Sequence, residues 1–196
     1  MTDETSPWET LASQRYYECP YLTLDEDRVR HRSGKVHPYT AVRFRVFGVA
    51  ILPILPDGST YLVGQYRHVS QRYTWELPRG GAALDHPAES GARRELIEEV
   101  GLAGGQWLEV LRVLVSPGIS DEWAPCFIAW DLERVERSPD EQEDLTIRRV
   151  SMCEAITAAL DGTITDAASV ATLLAAHVRA QRNDLPQRLL SLLAAK

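Results

Sequence analysis

Cysteine is scarce in this chain, with Cys19, Cys126 and Cys153 the only three among 196 residues. Their number is odd, they lie far apart, and none belongs to a C-x-x-C pair, so neither a disulfide framework nor a thiolate zinc site is suggested. A reduced, cytoplasmic setting is the expectation. No apolar run approaches the roughly 20 residues that a membrane-spanning helix needs. The opening MTDETSPWET lacks the basic and apolar regions of a signal peptide. No basic block occurs either, and the net charge is −7. A nucleic-acid backbone is gripped by clustered Lys and Arg, so no nucleic-acid partner is expected. An anionic substrate would need local Arg side chains or bound cations to offset repulsion.

The apolar share of 44% is enough for a sizeable core. The length fits one domain, or one domain with a small appended subdomain. Residues 1–13 read as a loose lead-in. From Tyr16 to about Phe47, Tyr, Val, Thr and Arg are broken by Asp25–Asp27 and Ser33-Gly34, which predicts two or three short strands. RFRVFGVAILPIL reads as a buried strand, and Asp57-Gly58 predicts a hairpin turn into TYLVGQYRH. Residues 75–86, WELPRGGAALDH, read as a Gly-rich loop. Strands are expected near 107–115 and 124–131, with a turn at Ser116-Pro117-Gly118. A charged loop over 132–144 precedes a strand at LTIRRVS. Helices are expected near 152–161, 166–181 and 185–194. Mixed strands with helices at their ends and faces indicate α+β or α/β sandwich architecture.

The most informative segment is PAESGARRELIEEVGL. Pro87 suits a helix start and Gly101 a helix stop. Ala88, Ala92, Leu96 and Val100 recur every fourth residue and make an apolar stripe. At roughly 100° per residue, Glu95, Glu98 and Glu99 share a neighbouring face. Carboxylates that close repel one another, and a hard cation such as Mg²⁺ or Mn²⁺ reverses the sign. Taken alone, RRELIEE reads equally well as a solvated, charge-rich helix face. Its place at the mouth of a Gly-rich loop points instead to a pyrophosphate station.

In register with this helix, the chain resembles the Nudix hydrolase signature, G-x5-E-x7-R-E-U-x-E-E-x-G-U, where U is bulky and apolar. Gly80, Arg94, Glu95, Leu96, Glu98, Glu99, Gly101 and Leu102 match. One position departs: the first signature Glu falls on His86, with Asp85 beside it. In the family that Glu braces the loop and pairs with the signature Arg. The resemblance implies a Nudix-type α/β/α sandwich with a mixed sheet (α/β with α+β character). A small N-terminal antiparallel β subdomain over 1–47 would precede the Nudix domain with its C-terminal helices over 48–196. Glu95 and Glu99 would be the principal metal ligands, with Glu98 a ligand or base. Arg79 would offer its backbone carbonyl to Mg²⁺ or Mn²⁺, and Arg94 would orient the glutamates.

Outside the signature, the likeness is to ADP-ribose pyrophosphatases. Pro117 follows Leu102 by fifteen residues, a spacing associated with that subgroup, and in SPGISDE the matching Glu122 would help hold substrate. GQYRHVSQRYTWELPRG resembles the subgroup's approach to the signature, which places Arg67 on the diphosphate. DEQEDLTIRRVS resembles its late acidic loop, with Glu141 as catalytic base and Glu143 as a further metal ligand. Catalysis would thus rest on Glu98, Glu99 and Glu141. The resemblance also implies a homodimer through exchange of the N-terminal piece, and ADP-ribose cleaved to AMP and ribose 5-phosphate. Another nucleoside diphosphate sugar, NADH or a dinucleoside polyphosphate is the nearest alternative substrate. A non-catalytic ligand-binding module on the same scaffold is the alternative of a different class. Plainer readings stand beside the single residues: Pro117-Gly118 as a turn, Arg67 as a surface charge, and Glu141 and Glu143 as two acids among many.

Overall fold

The computed structural model describes residues 5–138 and 144–194. The chain divides into two compact units. The first contains the described residues up to Val46 together with Leu114–Glu122, and the second contains Phe47–Val113 and the described residues from Trp123 onward.

The first unit is an antiparallel sheet of β1 (Trp8–Glu18), β2 (Leu22–His31) and β3 (Val36–Phe44) in the order β1-β2-β3. The lead-in expected over residues 1–13 is therefore strand from Trp8 onward. Almost every residue of β1 is exposed, so no apolar alternation betrayed it, and the ladder to β2 holds it in place. On β2 the alternation is clear, but its buried face carries Thr23, Asp25, Asp27 and Val29. Arg15 donates to Asp25 at 2.9 Å, and Arg43 reaches Asp25 at 3.3 Å and Asp27 at 2.5 Å. Those guanidinium partners are what allow two acids on an inward face, since an unpaired buried carboxylate costs several kcal/mol, on the order of a lost ion pair. The 114–122 segment is tied to β3: Val42 N–H donates to Ile119 O at 2.8 Å, and Phe44 N–H to Asp121 Oδ1 at 2.7 Å.

The second unit holds two sheets. β5 (Thr60–Arg67) lies between β10 (Thr146–Val150) and β6 (Arg72–Glu76), antiparallel to both. The other sheet runs β7 (Arg79–Ala83), β4 (Val46–Ile54), β9 (Trp123–Arg134), β8 (Leu102–Leu114). Its central pair, β4 and β9, is parallel, with Ala50 opposite Cys126 and Ile54 opposite Trp130. Such a pair is buried on both faces, which is why its sequence reads as an unbroken apolar run.

Successive residues of β4 and β9 serve opposite cores. Val49, Ile51, Phe127 and Ala129 face a cluster completed by Ala88, Ala92, Leu96 and Val100 of helix α1 (Ala88–Val100). Leu52, Ile54, Ile128 and Trp130 face a second cluster built with α2 (Met152–Leu160), α3 (Ala167–Gln181) and α4 (Gln187–Leu193). A mixed sheet with helices on both faces is the expected α/β/α sandwich. Each large aliphatic side chain in these clusters contributes about 1.5–3 kcal/mol on burial.

Two local expectations are corrected. The Asp57-Gly58 turn forms, with Leu55 N–H donating to Ser59 O at 2.9 Å and Gly58 at φ +78°. It does not make a two-stranded hairpin, because β4 and β5 enter different sheets. The supposed loop over 75–86 is largely ordered, since it contains the end of β6 and all of β7. Short strands rich in Gly carry too few apolar side chains to announce themselves. The three cysteines are free, and among the described residues no helix is long and apolar enough to cross a membrane.

Candidate active site

The site is built where α1 packs on β7. Gly91 makes the close approach possible, since a Cβ there would come within 2.3 Å of Ala82 Cβ. The apolar stripe fixes the rotation of α1, and that rotation carries Glu95 and Glu99 inward beside it. Glu95 is 8% exposed and Glu99 1% exposed. Gly101 ends the helix in the left-handed region at φ 66°, with its N–H on Ile97 O at 3.0 Å.

Buried carboxylates must be met by donors. For Glu99 one donor is the backbone N–H of Arg79, 3.0 Å from Oε2. For Glu95 one is Arg94, at 2.6 Å. Arg94 also donates to the carbonyl of Gly81 at 2.8 Å and pairs with Glu98. One guanidinium thus holds two of the three glutamates and the Gly-rich strand together, a task suited to its fixed fork of donors. Partial burial works against the Arg94 charge, but Glu95 and Glu98 outweigh it and hold its pKa above the ordinary value. Glu95 in turn lies directly against Gly80, where an added Cβ would sit 2.0 Å from its Cδ.

A second ionic chain borders the first. Arg67, at the end of β5, grips Glu76 with Nε at 2.8 Å and Nη2 at 2.5 Å. Glu76 is 3% exposed and also accepts from Thr74 at 2.6 Å. Burial pushes its carboxyl up, yet the hydrogen bonds from Arg67 and Thr74 prevail and hold it below the usual range. Arg79 lies 4.0 Å from Glu76 and pairs with Asp166. Asp166 caps α3 by accepting from Ser169 N–H at 2.8 Å and Ser169 Oγ–H at 2.7 Å. Glu76, Asp166 and Glu99 all favour the Arg67 cation, so its guanidinium belongs to the same electrostatic neighbourhood as the helix carboxylates.

The structure therefore brings Glu95, Glu98, Glu99, Arg79 and Arg67 into one unit. Glu122 lies in the other unit, half-buried, with its carbonyl accepting from Val115 N–H at 3.1 Å. Glu141 and Glu143 lie outside the described residues. Sequence reasoning missed Glu76, Asp166 and Ser169. Asp166 is the N-cap of α3, but its reach across 87 positions to Arg79 has no local signature.

The donor set suits a hard divalent cation. The two buried carboxylates, Glu95 and Glu99, and the partly exposed Glu98 beside Glu99 offer only oxygen, the ligand type of Mg²⁺ and Mn²⁺. The glycine beneath Glu95 leaves the room its carboxylate occupies. Glu98 is turned to Arg94, and among the described residues no three acidic, His or Cys side chains are already gathered as ligands.

No protein-family model matches the chain. Over 176 residues it is 34% identical to an ADP-ribose pyrophosphatase of Mycobacterium tuberculosis, spanning 87% of this chain and 83% of that protein. The chain belongs to the ADP-ribose pyrophosphatase-like Nudix proteins. An ADP-ribose pyrophosphatase of Bacillus subtilis is 27% identical over 150 residues, 76% of this chain and 80% of that one. The structure of a protein described as an ADP compounds hydrolase superposes with a TM-score of 0.81, covering 94% of this chain and all of that one at 18% identity. That likeness supports the fold of this Nudix protein. Within it, Gly80 to Leu102 is the Nudix signature, with His86 as its one departure.

Proposed function

We propose that this Nudix protein hydrolyses the pyrophosphate bond of ADP-ribose, giving AMP and ribose 5-phosphate with Mg²⁺ or Mn²⁺ as cofactor. The observation that carries the reading is the pair of buried carboxylates, Glu95 and Glu99, seated against the backbone of Gly80 and Arg79. A merely solvated helix face would leave them in water. When bound, the divalent ion would neutralise charge building on the phosphoryl oxygens and acidify a water.

The chain's own residues divide the remaining work. Glu95, Glu98 and Glu99 would hold the ion, with the Arg79 carbonyl and Glu143 as further ligands. Arg94 aligns Glu95 and Glu98. Arg67 commits two donors to Glu76 and has others for a diphosphate oxygen. Glu122 would hold substrate. Glu141, or Glu98 or Glu99 in its place, would orient or deprotonate the attacking water. Water adds to one phosphorus, the bridging P–O bond breaks, and the electron pair leaves with the departing phosphate. The names of the curated relatives support ADP-ribose over other nucleoside diphosphate derivatives. A homodimer exchanging its N-terminal strands, in a reducing cytoplasm, completes the proposal.

A panel of ADP-ribose, other nucleoside diphosphate sugars, NADH and dinucleoside polyphosphates, assayed with Mg²⁺ and Mn²⁺, tests it. AMP and ribose 5-phosphate should accumulate fastest from ADP-ribose. Glu99→Gln should lower kcat by at least about 100-fold, beyond the usual cost of losing a group that only supports a metal ligand. Near-normal turnover by that variant would sink the reading. Light scattering on the eluting protein should give twice the chain mass, and a monomer at micromolar concentration would count against the exchange.

A further inference from the structure

We infer that Asp166, through the side chain of Arg79, is the positioning residue that sets the backbone N–H holding Glu99. The inference rests on the proposed hydrolase reading for its kinetic consequence only.

The segment from Leu77 to Arg79 is gripped from two directions. The carbonyl of Pro78 accepts from Ile51 N–H of β4 at 2.8 Å. From the other side come two ties to the N-terminus of α3. Leu77 N–H donates to Ser169 Oγ at 3.0 Å, and the Arg79 guanidinium pairs with Asp166. Ser169 is fully buried, and the side chains of Arg79 and Asp166 are 19% and 15% exposed. What the segment then presents is the Arg79 N–H, 3.0 Å from Glu99 Oε2.

Asp166 divides its two oxygens between two tasks. Oδ2 caps α3 by accepting from Ser169, and Oδ1 faces Arg79. The cap needs only an acceptor, which Asn supplies as well as Asp. The pairing with Arg79 needs the charge, because a neutral amide facing a largely buried guanidinium leaves it under-compensated. Glu76, at 4.0 Å and already committed to Arg67, is too far and too occupied to replace it. Asp166→Asn therefore separates the two tasks: the helix keeps its cap while Arg79 loses its anchor. Arg79 itself stands where the loop's backbone turns into the signature, so loosening its side chain loosens the N–H it carries.

The test uses the full chain and three readouts. Asp166→Asn should still fold with its α3 cap intact, but melt lower than wild type because the Arg79 charge loses its partner. The amide of Arg79, followed by hydrogen exchange, should lose protection about tenfold, and Mn²⁺ binding without substrate should weaken about 10–100-fold, the usual range for a group that orients a metal ligand. With ADP-ribose, kcat should fall by a similar factor while KM moves less than about twofold. Arg79→Ala should behave alike, and the double variant should be no worse than either single one, because both act through one link. Arg79 exchange, Mn²⁺ affinity and kcat all unchanged in Asp166→Asn would overturn the inference. If wild type does not cleave ADP-ribose, the hydrolase reading fails alone, and Arg79 exchange and Mn²⁺ affinity still decide this one.

Discussion

The carboxylate of Glu95 occupies the space that a Cβ on Gly80 would fill, its oxygens 2.2 and 2.3 Å from that point. The clash of a side chain at residue 80 would thus fall on the far end of a flexible glutamate, not on backbone. Relief costs little energy but moves the carboxylate. Gly80→Ala should accordingly keep its melting temperature within a few degrees of wild type while losing metal binding and turnover by about 10–100-fold. Calorimetry of the free protein beside Mn²⁺ titration checks the split. Equal loss of both would mean that the glycine serves the fold and not the site.

Gly91 gives the opposite outcome. Within a helix, Gly→Ala ordinarily stabilises by about 1 kcal/mol. Here the new methyl would lie 2.3 Å from Ala82 Cβ and 2.7 Å from Ala82 Cα, and the latter is backbone of β7. The strand must shift, so Gly91→Ala should destabilise by about 1–3 kcal/mol, the usual cost of overpacking. Denaturant unfolding measures it, and a gain in stability would mean α1 rides further from the sheet than described.

These two glycines also mark what the sequence could and could not disclose. The stripe Ala88, Ala92, Leu96 and Val100 and the stop at Gly101 placed α1 correctly because period and caps are local properties. The helices expected near 152–161, 166–181 and 185–194 are found at Met152–Leu160, Ala167–Gln181 and Gln187–Leu193, and the structure shows a capping box of Ser151 with Glu154 and a cap by Asp166 at the first two. The match around Gly80 made the carboxylate helix a site by resemblance. The rest depended on partners far along the chain. β1 hides its strand in exposed polar residues, the Asp57-Gly58 turn does not say which sheet its second strand joins, and nothing near Glu76 tells that Arg67 will close on it. Ionic pairs across sheets leave no period to read.

The pairing of Arg67 with Glu76 makes stability respond to acid with a definite sign. The Glu76 carboxyl is held below its ordinary value of 4.5, so the folded protein prefers it charged more strongly than the unfolded chain does. Its contribution is fully present above that ordinary value and is lost as pH falls through the lower folded value. Glu76→Gln should therefore melt lower than wild type by a constant margin at neutral pH. The margin should shrink as pH falls below about 4.5, because Arg67 remains cationic throughout. Thermal melts of both proteins across the acid range test this. A margin that stays flat or widens in acid would contradict the pairing.

His86 stands where the signature has a Glu, and that Glu's task in the family is to brace the loop and meet the signature Arg. Both His86 and its neighbour Asp85 are exposed, and Arg94 has found other partners. It reaches Gly81 O at 2.8 Å and Glu95 at 2.6 Å, and it pairs with Glu98. The Gly81 bond joins α1 to β7 directly, which is the bracing the absent Glu would supply. An exposed ion pair restored at residue 86 would add at most about 1 kcal/mol. His86→Glu and His86→Ala should both leave kcat/KM within about threefold of wild type, less than 1 kcal/mol of transition-state stabilisation. Arg94→Ala should lose about 10–100-fold, since two glutamates and the strand lose their shared donor together. A tenfold gain in His86→Glu would show that Arg94 alone does not order the loop, and the carboxylate cluster would then be under-braced as it stands.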